Sequence, residues 1–220
     1  MITQAARVTD LTSHGSPLGA GPGSSNVFVG NLPAWRALPG GVGATLEAAC
    51  NAMGTMMSAP SLTPVEATTQ LALAQAGFTQ AASAAATQGS PAAPATTASA
   101  FAALNAANVS LTAAYTAACA VPGGAAAAAV TYTESIKAAA ATAAGAAVSA
   151  IAGMTDLHTC PLPCPTPPHG PGVVSQGSTS VFFNNLPAAR MGDAVCEACG
   201  GADPVAAGSP SVFIGDAAGG

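Results

Sequence analysis

Outside the middle of this chain, three short apolar runs recur in one frame: Val27-Phe28-Val29, Val181-Phe182-Phe183 and Val212-Phe213-Ile214. Each run is β-branched or aromatic. Gly-Ser precedes it (Gly23-Ser24, Gly177-Ser178, Gly208-Ser209) and Gly or Asn follows it. That pattern predicts a short strand between tight turns. One such unit cannot bury a face alone, so the three are expected to stack around a common axis. The first two copies continue into Asn31-Leu32-Pro33-Ala34-Trp35-Arg36 and Asn185-Leu186-Pro187-Ala188-Ala189-Arg190, and the third is truncated at Gly215-Asp216. Upstream pieces also match: Thr9-Asp10-Leu11-Thr12-Ser13-His14-Gly15 pairs with Thr155-Asp156-Leu157-His158-Thr159-Cys160-Pro161. The repeat unit is roughly 30 residues, the scale of a stacked supersecondary unit.

Residues 38–153 are different material, rich in alanine and threonine, with Glu47, Glu66, Glu134 and Lys137 as their charges. Alanine is the best helix former, and the breaks at Pro60, Pro64, Pro91, Pro94 and Pro122-Gly123-Gly124 predict helices at about 43–57, 65–87, 97–120 and 131–152. Thr63-Pro64-Val65-Glu66 reads as a helix start, with a Thr cap, Pro in the first position and Glu in the first turn. The expected architecture is a mainly β unit of stacked repeats, residues 1–37 and 154–220, interrupted by an all-α, alanine-rich insertion, residues 38–153.

Composition narrows the function classes. Aromatic residues are 4% and charged residues 6% of the 220, well below an ordinary globular mix. With so few bulky side chains, metal, backbone ladders or a partner are expected to help hold the chain. Net charge is −5, and Arg7, Arg36, Lys137 and Arg190 are its basic residues. Phosphate neutralisation needs several basic residues on one surface, which argues against nucleic acid. The opening residues lack an apolar signal-type stretch. The expectation is a chain made in the cytoplasm and moved only by another machine. In that compartment, six cysteines favour metal or thiols over disulfides.

Histidine and cysteine concentrate in the repeat-derived parts: His14, His158 and His169, with Cys160, Cys164, Cys196 and Cys199. A tetrahedral zinc site needs four N or S ligands held rigidly, and Pro- and Gly-rich loops can supply rigidity. Ligand types recur at matching positions, since His14 follows Asp10 by four and Cys160 follows Asp156 by four. Cys50 and Cys119 sit in the alanine-rich stretch and read as small buried hydrophobes. Asp10, Asp156 and Asp193 read as turn caps or supports of the ligand loops, Arg36 and Arg190 as clamps between turns or solvated charges, and Trp35 as packing beneath the insertion. His-Glu-x-x-His and a nucleophile elbow are absent, so no catalytic residue is assigned.

Pro187-Ala188-Ala189-Arg190-Met191-Gly192-Asp193 is the signature of the PAAR family, and Pro33-Ala34-Trp35-Arg36 is a variant of it. Ala5-Ala6-Arg7-Val8-Thr9-Asp10 looks like the tail of the same motif, and Asp156-Leu157-His158-Thr159-Cys160-Pro161 and Pro168-His169-Gly170 resemble the family too. The resemblance implies a cone of short β repeats with a structural zinc near its point. Such a cone caps a trimeric VgrG-type spike of a type VI secretion or related contractile injection system, with effector cargo or a chaperone as further partners. Zinc ligation carries over by position to His158, His169 and Cys196. Cys160 and His14 compete for the remaining place, and Cys199 is an alternative to Cys196. The resemblance also implies three histidines and one cysteine, which makes His14, His158 and His169 with one Cys a further candidate set. The chain is expected to be cytoplasmic until assembled, then secreted or injected at the spike tip, meeting a membrane only during injection. The competing expectation is a secreted effector whose helical insertion acts on a target membrane.

Overall fold

The computed structural model describes residues 2–19, 21–163 and 168–215. Its β part contains β1 (Ile2–Gln4), β2 (Phe28–Val29), β3 (Leu32–Pro33), β4 (Leu157–Pro163), β5 (Pro168–Val174), β6 (Phe182–Phe183), β7 (Leu186–Pro187), β8 (Ala194–Glu197), β9 (Ala202–Pro204) and β10 (Phe213–Gly215). Between β3 and β4 lie α1 (Gly40–Ser58), α2 (Pro64–Ala86), α3 (Ala93–Cys119) and α4 (Ala125–Ile151). The four helices fall within the stretch expected to be helical and the short strands within the repeat-derived parts, so the chain as a whole is mixed α and β. The helices run for 19, 23, 27 and 27 residues, whereas β2, β3, β6 and β7 have two residues each. Turns every few residues keep the repeat strands short, while the alanine stretch has nothing to stop its helices except Pro and Gly.

The hairpins β2–β3 and β6–β7 are equivalent. Their two-residue turns, Gly30-Asn31 and Asn184-Asn185, place both central residues at φ between 54° and 65°, the left-handed geometry that matches strand twist and that Asn and Gly tolerate. The third copy is assembled from two distant segments: β10 pairs antiparallel with β1, Ile214 facing Thr3. Ala5-Ala6-Arg7 thereby takes the place that Ala34-Trp35-Arg36 and Ala188-Ala189-Arg190 take in the other copies. In each copy the serine amide donates to the first alanine's carbonyl: Ser24 to Ala34, Ser178 to Ala188 and Ser209 to Ala5, at 2.8–2.9 Å.

The copies close into a ring. The Ala6 amide donates to the Ala189 carbonyl (2.9 Å), Ala189 to Trp35 (3.0 Å) and Trp35 to Ala6 (2.9 Å). Isolated bridges follow the same cycle, joining Ala5 to Arg190, Arg7 to Ala34 and Arg36 to Ala188. Trp35 is fully buried with Ala6, Ala189, Leu18, Val174, Val195 and Val205, rather than in the helical core. Its expected place beneath the insertion is therefore corrected. One large ring with two alanines at the equivalent positions fills an axis that three indoles would overfill.

A turn aspartate clamps each ring arginine. The Arg7, Arg36 and Arg190 amides donate to Asp10, Asp156 and Asp193 Oδ2 at 2.8, 2.9 and 2.7 Å, and each guanidinium reaches the Oδ1 of the same carboxylate. Two copies span this clamp with two residues, Val8-Thr9 and Met191-Gly192. The remaining copy spans it with residues 37–155, all four helices included. Hydrogen bonding to Asp156 holds the Arg36 guanidinium even more firmly protonated than usual, outweighing the effect of burial.

The helices start and stop where local chemistry says they should. Thr63 and Glu66 form a reciprocal capping box with Pro64 in the first turn of α2. Pro94 opens α3 instead of breaking it, because the first turn needs no amide donors. Phe78 and Phe101 stack at 5.5 Å between ring centres within a core of Leu46, Met53, Ile136 and small alanines. That core does not end at the helices: Val173, Cys196, Ala198 and Cys199 of the β part are buried in it. At Gly43 of α1, an added Cβ would lie 1.5 Å from the Ser175 carbonyl oxygen, so only glycine allows this approach. Among the described residues no helix is long and apolar enough to cross a membrane.

The Asp156 carboxylate is fully buried, so Arg36→Ala strands a charge. A denaturant titration should show a loss of about 3–5 kcal/mol. A loss below about 1 kcal/mol, the range of exposed pairs, would mean that the clamp does not hold the returning chain.

Candidate metal centre

Strands β4, β5, β8 and β9 form a four-stranded antiparallel sheet in that order, and each strand sends a potential ligand to one place. Side chains alternate along a strand, so His158 and Cys160 of β4 share a face while Thr159 between them is exposed. On the next strands, Gly172 stands in register between His158 and Glu197. A Cβ at Gly172 would come within 3.1 Å of Glu197 Cγ. Its absence leaves room for the flanking side chains to converge.

Two overlapping groups result. His14, Cys160, His169 and Glu197 form one; His158, Cys160, Glu197 and Asp203 form the other, with ligand atoms in each group within 4.8 Å of one another. His14 Nδ1 is 3.7 Å from Cys160 Sγ and 3.4 Å from Glu197 Oε2, and His169 Nδ1 contacts the same Glu197 oxygen. A tetrahedron with arms of about 2.1 Å has edges of about 3.4 Å, slightly longer to sulfur, so the His14–Cys160 and His14–Glu197 spacings suit one cation, whereas His169 and Glu197, in direct contact, would have to part to share it. On the other side, His158 Nε2 is 3.7 Å from Glu197 Oε1 and 3.8 Å from Asp203 Oδ2. His158 Nδ1 donates to the Pro17 carbonyl at 3.0 Å, which leaves the Nε2 lone pair facing the cluster. Asp203 Oδ1 accepts from the Ser13 hydroxyl (2.9 Å) and the His14 amide (2.8 Å), fixing the loop that carries His14.

The surroundings oppose charge on these groups. Burial pushes the Glu197 carboxyl up to about 7, helped by neighbouring Asp203. Burial likewise raises the Cys160 thiol and lowers both His158 and His169. His158 Nε2, Glu197 Oε1 and Asp203 Oδ2 are buried without a hydrogen-bond partner. A divalent cation answers all of these features at once: it takes up lone pairs and reverses the electrostatics that keep Glu197 protonated.

Of the residues expected from sequence, His14, His158, Cys160 and His169 come together here. Cys196 does not. Adjacent to Glu197 on β8, it points to the opposite face, where its sulfur is joined to that of Cys50 and contacts the Leu46 carbonyl. Cys199 is buried in the helical core, and Cys164 lies outside the described residues. Glu197 and Asp203 were not expected as ligands. Glu197 follows Asp193 by four, the same spacing that picks out His14 and Cys160, so extending that spacing to the remaining copy finds it. No spacing marks Asp203.

The PAAR motif family model matches the chain twice, over residues 148–195 and 166–218. Residues 148–218 belong to the PAAR motif family. No curated protein and no solved structure matches the chain significantly. The PAAR region supplies His158, Cys160, His169, Glu197 and Asp203, whereas His14, the β2–β3 hairpin and the Ala5-Ala6-Arg7 segment lie outside the matched residues and are joined to it by the ring.

Metal analysis after purification without chelators should find a divalent ion in the native chain and in Cys196→Ser, and none in Cys160→Ser or Glu197→Gln. Loss in Cys196→Ser with retention in Glu197→Gln would reverse the assignment. Because a cation displaces the Glu197 proton, affinity should rise as pH increases through about 7 and fall on acidification. A flat profile between pH 6 and 8 in a competition titration, roughly one unit either side of that value, would remove Glu197 from the ligand set.

Proposed function

We propose that this chain is a structural tip: it caps and sharpens a trimeric VgrG-type spike of a type VI secretion or related contractile injection system. The observation that carries the reading is the threefold repetition of one exposed side chain. Phe28, Phe182 and Phe213 occupy the same position in the three copies and are 59%, 54% and 57% exposed. A single chain that docks on the end of a trimer must offer the same contact three times about an axis, and the ring supplies that axis. Apolar residues exposed at equivalent points are what such a face requires.

Along each copy the phenylalanine precedes the ring and the ligand position follows it: Phe28, Trp35 and then Cys160; Phe182, Ala189 and Glu197; Phe213, Ala6 and His14. Zinc is the cation that best fits the His14, Cys160, His169 and Glu197 set, because borderline N, S and O donors at tetrahedral spacing suit it. Its role is structural. Metal binding contributes on the order of 10 kcal/mol in small zinc peptides, a large share where bulky side chains are scarce. The capping unit in this reading is residues 1–37 with 154–220. The helical excursion, residues 38–153, stands beside it as a platform for cargo or a chaperone. The protein is made in the cytoplasm and leaves with the spike.

Binding to the spike trimer tests the proposal. Wild type should bind one chain per trimer. The triple variant Phe28→Ser, Phe182→Ser, Phe213→Ser should bind at least about a hundredfold more weakly, as expected for losing three anchors, with unchanged melting temperature and metal content. Undiminished binding by the triple variant, or no binding by wild type, would refute the docking face.

A further inference from the structure

The seam between α1 and the β part is backbone on backbone. Gly43 meets the Ser175 carbonyl, and an added Cβ at Gly200 would lie 2.5 Å from Gly54 Cα and 2.6 Å from the Cys50 carbonyl oxygen. Side-chain hydrogen bonds cross the seam from Ser175 and Gln176 to Glu47, at 3.2 and 3.1 Å. Small groups bury little apolar area each, so a covalent link adds much to what holds this seam. Between the two glycine contacts lie Cys50 of α1 and Cys196 of β8, both buried, with Cα atoms 6.4 Å apart and sulfurs joined. That separation is one a disulfide spans without moving the backbone. The two cysteines are 146 residues apart in sequence, and theirs is the one cross-link among the described residues. Cys196 takes the face of β8 opposite Glu197, so the link uses none of the clustered metal ligands. A cleft of about 600 Å³, lined by Asn51, Gly54, Thr55 and Gly200 among others, runs along the seam one helical turn from Cys50 and gives a small reagent an approach.

We propose that Cys50 and Cys196 are a redox latch: two thiols where the chain is made, and a disulfide that fastens the helical region to the β part in an oxidising compartment. The timing rests on the reading that the chain is made in the cytoplasm and leaves it; the pairing rests on the geometry alone. The oxidant is a low-molecular-weight disulfide such as oxidised glutathione. One cysteine sulfur attacks it, forming a mixed disulfide and releasing one thiol, and the other cysteine sulfur then displaces the second. Two electrons and two protons pass from the cysteine pair to the reagent, whose S–S bond breaks as the Cys50–Cys196 bond forms. Closing so long a loop restricts the unfolded chain, so the latched form is the more stable. Thiols in a reducing cell and joined sulfurs in the folded chain are then two states of one device.

Thiol trapping on the full chain tests both states. Cells making the chain in their cytoplasm are quenched with acid and alkylated, and Cys50 and Cys196 should both carry the label. Purified reduced protein treated with oxidised glutathione should yield peptides linked through Cys50 and Cys196, and should melt roughly 10 °C above the reduced form. Cys50→Ala, with unchanged circular dichroism and metal content, should melt at one temperature before and after the treatment. A Cys50–Cys196 link already present in quenched cells, no link after oxidation, equal melting temperatures of the two wild-type forms, or the same rise in Cys50→Ala would each overturn the latch. Spike binding is read separately: a failed latch leaves the capping reading standing, and a chain that binds no spike still reports its thiol chemistry.

Discussion

Three backbone hydrogen bonds, from Ala6 to Ala189, from Ala189 to Trp35 and from Trp35 to Ala6, turn three unconnected pieces of chain into one object. Each piece is too short to be stable as an isolated hairpin. The ring satisfies their edges with one another, places the sole tryptophan on the axis and brings three arginines to the positions where turn aspartates clamp them. Those clamps set where the chain goes next, and four residues beyond each aspartate it delivers His14, Cys160 or Glu197. The metal cluster is in this sense a product of the ring: the same spacing, run three times around one axis, must converge.

The repeat strands were legible because Val-Phe runs are conspicuous in a chain so poor in aromatics, and the helices because alanine leaves little else to read. The capping box at Thr63 was legible residue by residue. Harder to read was anything that depends on which face of a strand a side chain takes. Cys196 and Glu197 are neighbours, and a shift of one position exchanges their roles; the register of β8 against Gly172 decides it, and that register is a tertiary property. Asp203 was invisible for a different reason. A carboxylate in a loop-rich chain is ordinary, and only its burial beside His158 makes it a ligand candidate. Trp35 looked like a cover for the helices because the vacancy on the axis exists only once the third copy has been assembled from both segments.

The helical region illustrates how a large excursion can be added to a small scaffold. It enters and leaves through a turn that the other copies close with two residues, and the Arg36–Asp156 clamp bridges that opening as it does elsewhere. Loop-closure entropy grows slowly with length, so a long excursion strains the turn little if its own ends lie close together. Antiparallel helices meet that condition. The excursion is nonetheless not a free appendage: α1 presses on the Ser175 backbone through Gly43, and β5 and β8 complete the helical core with Val173 and Cys196.

Pairing β1 with β10 also governs the order of events during synthesis. The helices are built from local contacts and can form as they leave the ribosome, but the third copy joins residues 2–4 to residues 213–215. Contacts that distant in sequence form slowly, and here they cannot form at all until β10 has been made. Until then Ile2, Thr3 and Gln4 of β1 lack their β10 partners, an unpaired strand of the kind that chaperones recognise. The third copy is thus the last of the three to close, although its first strand is made before the other two.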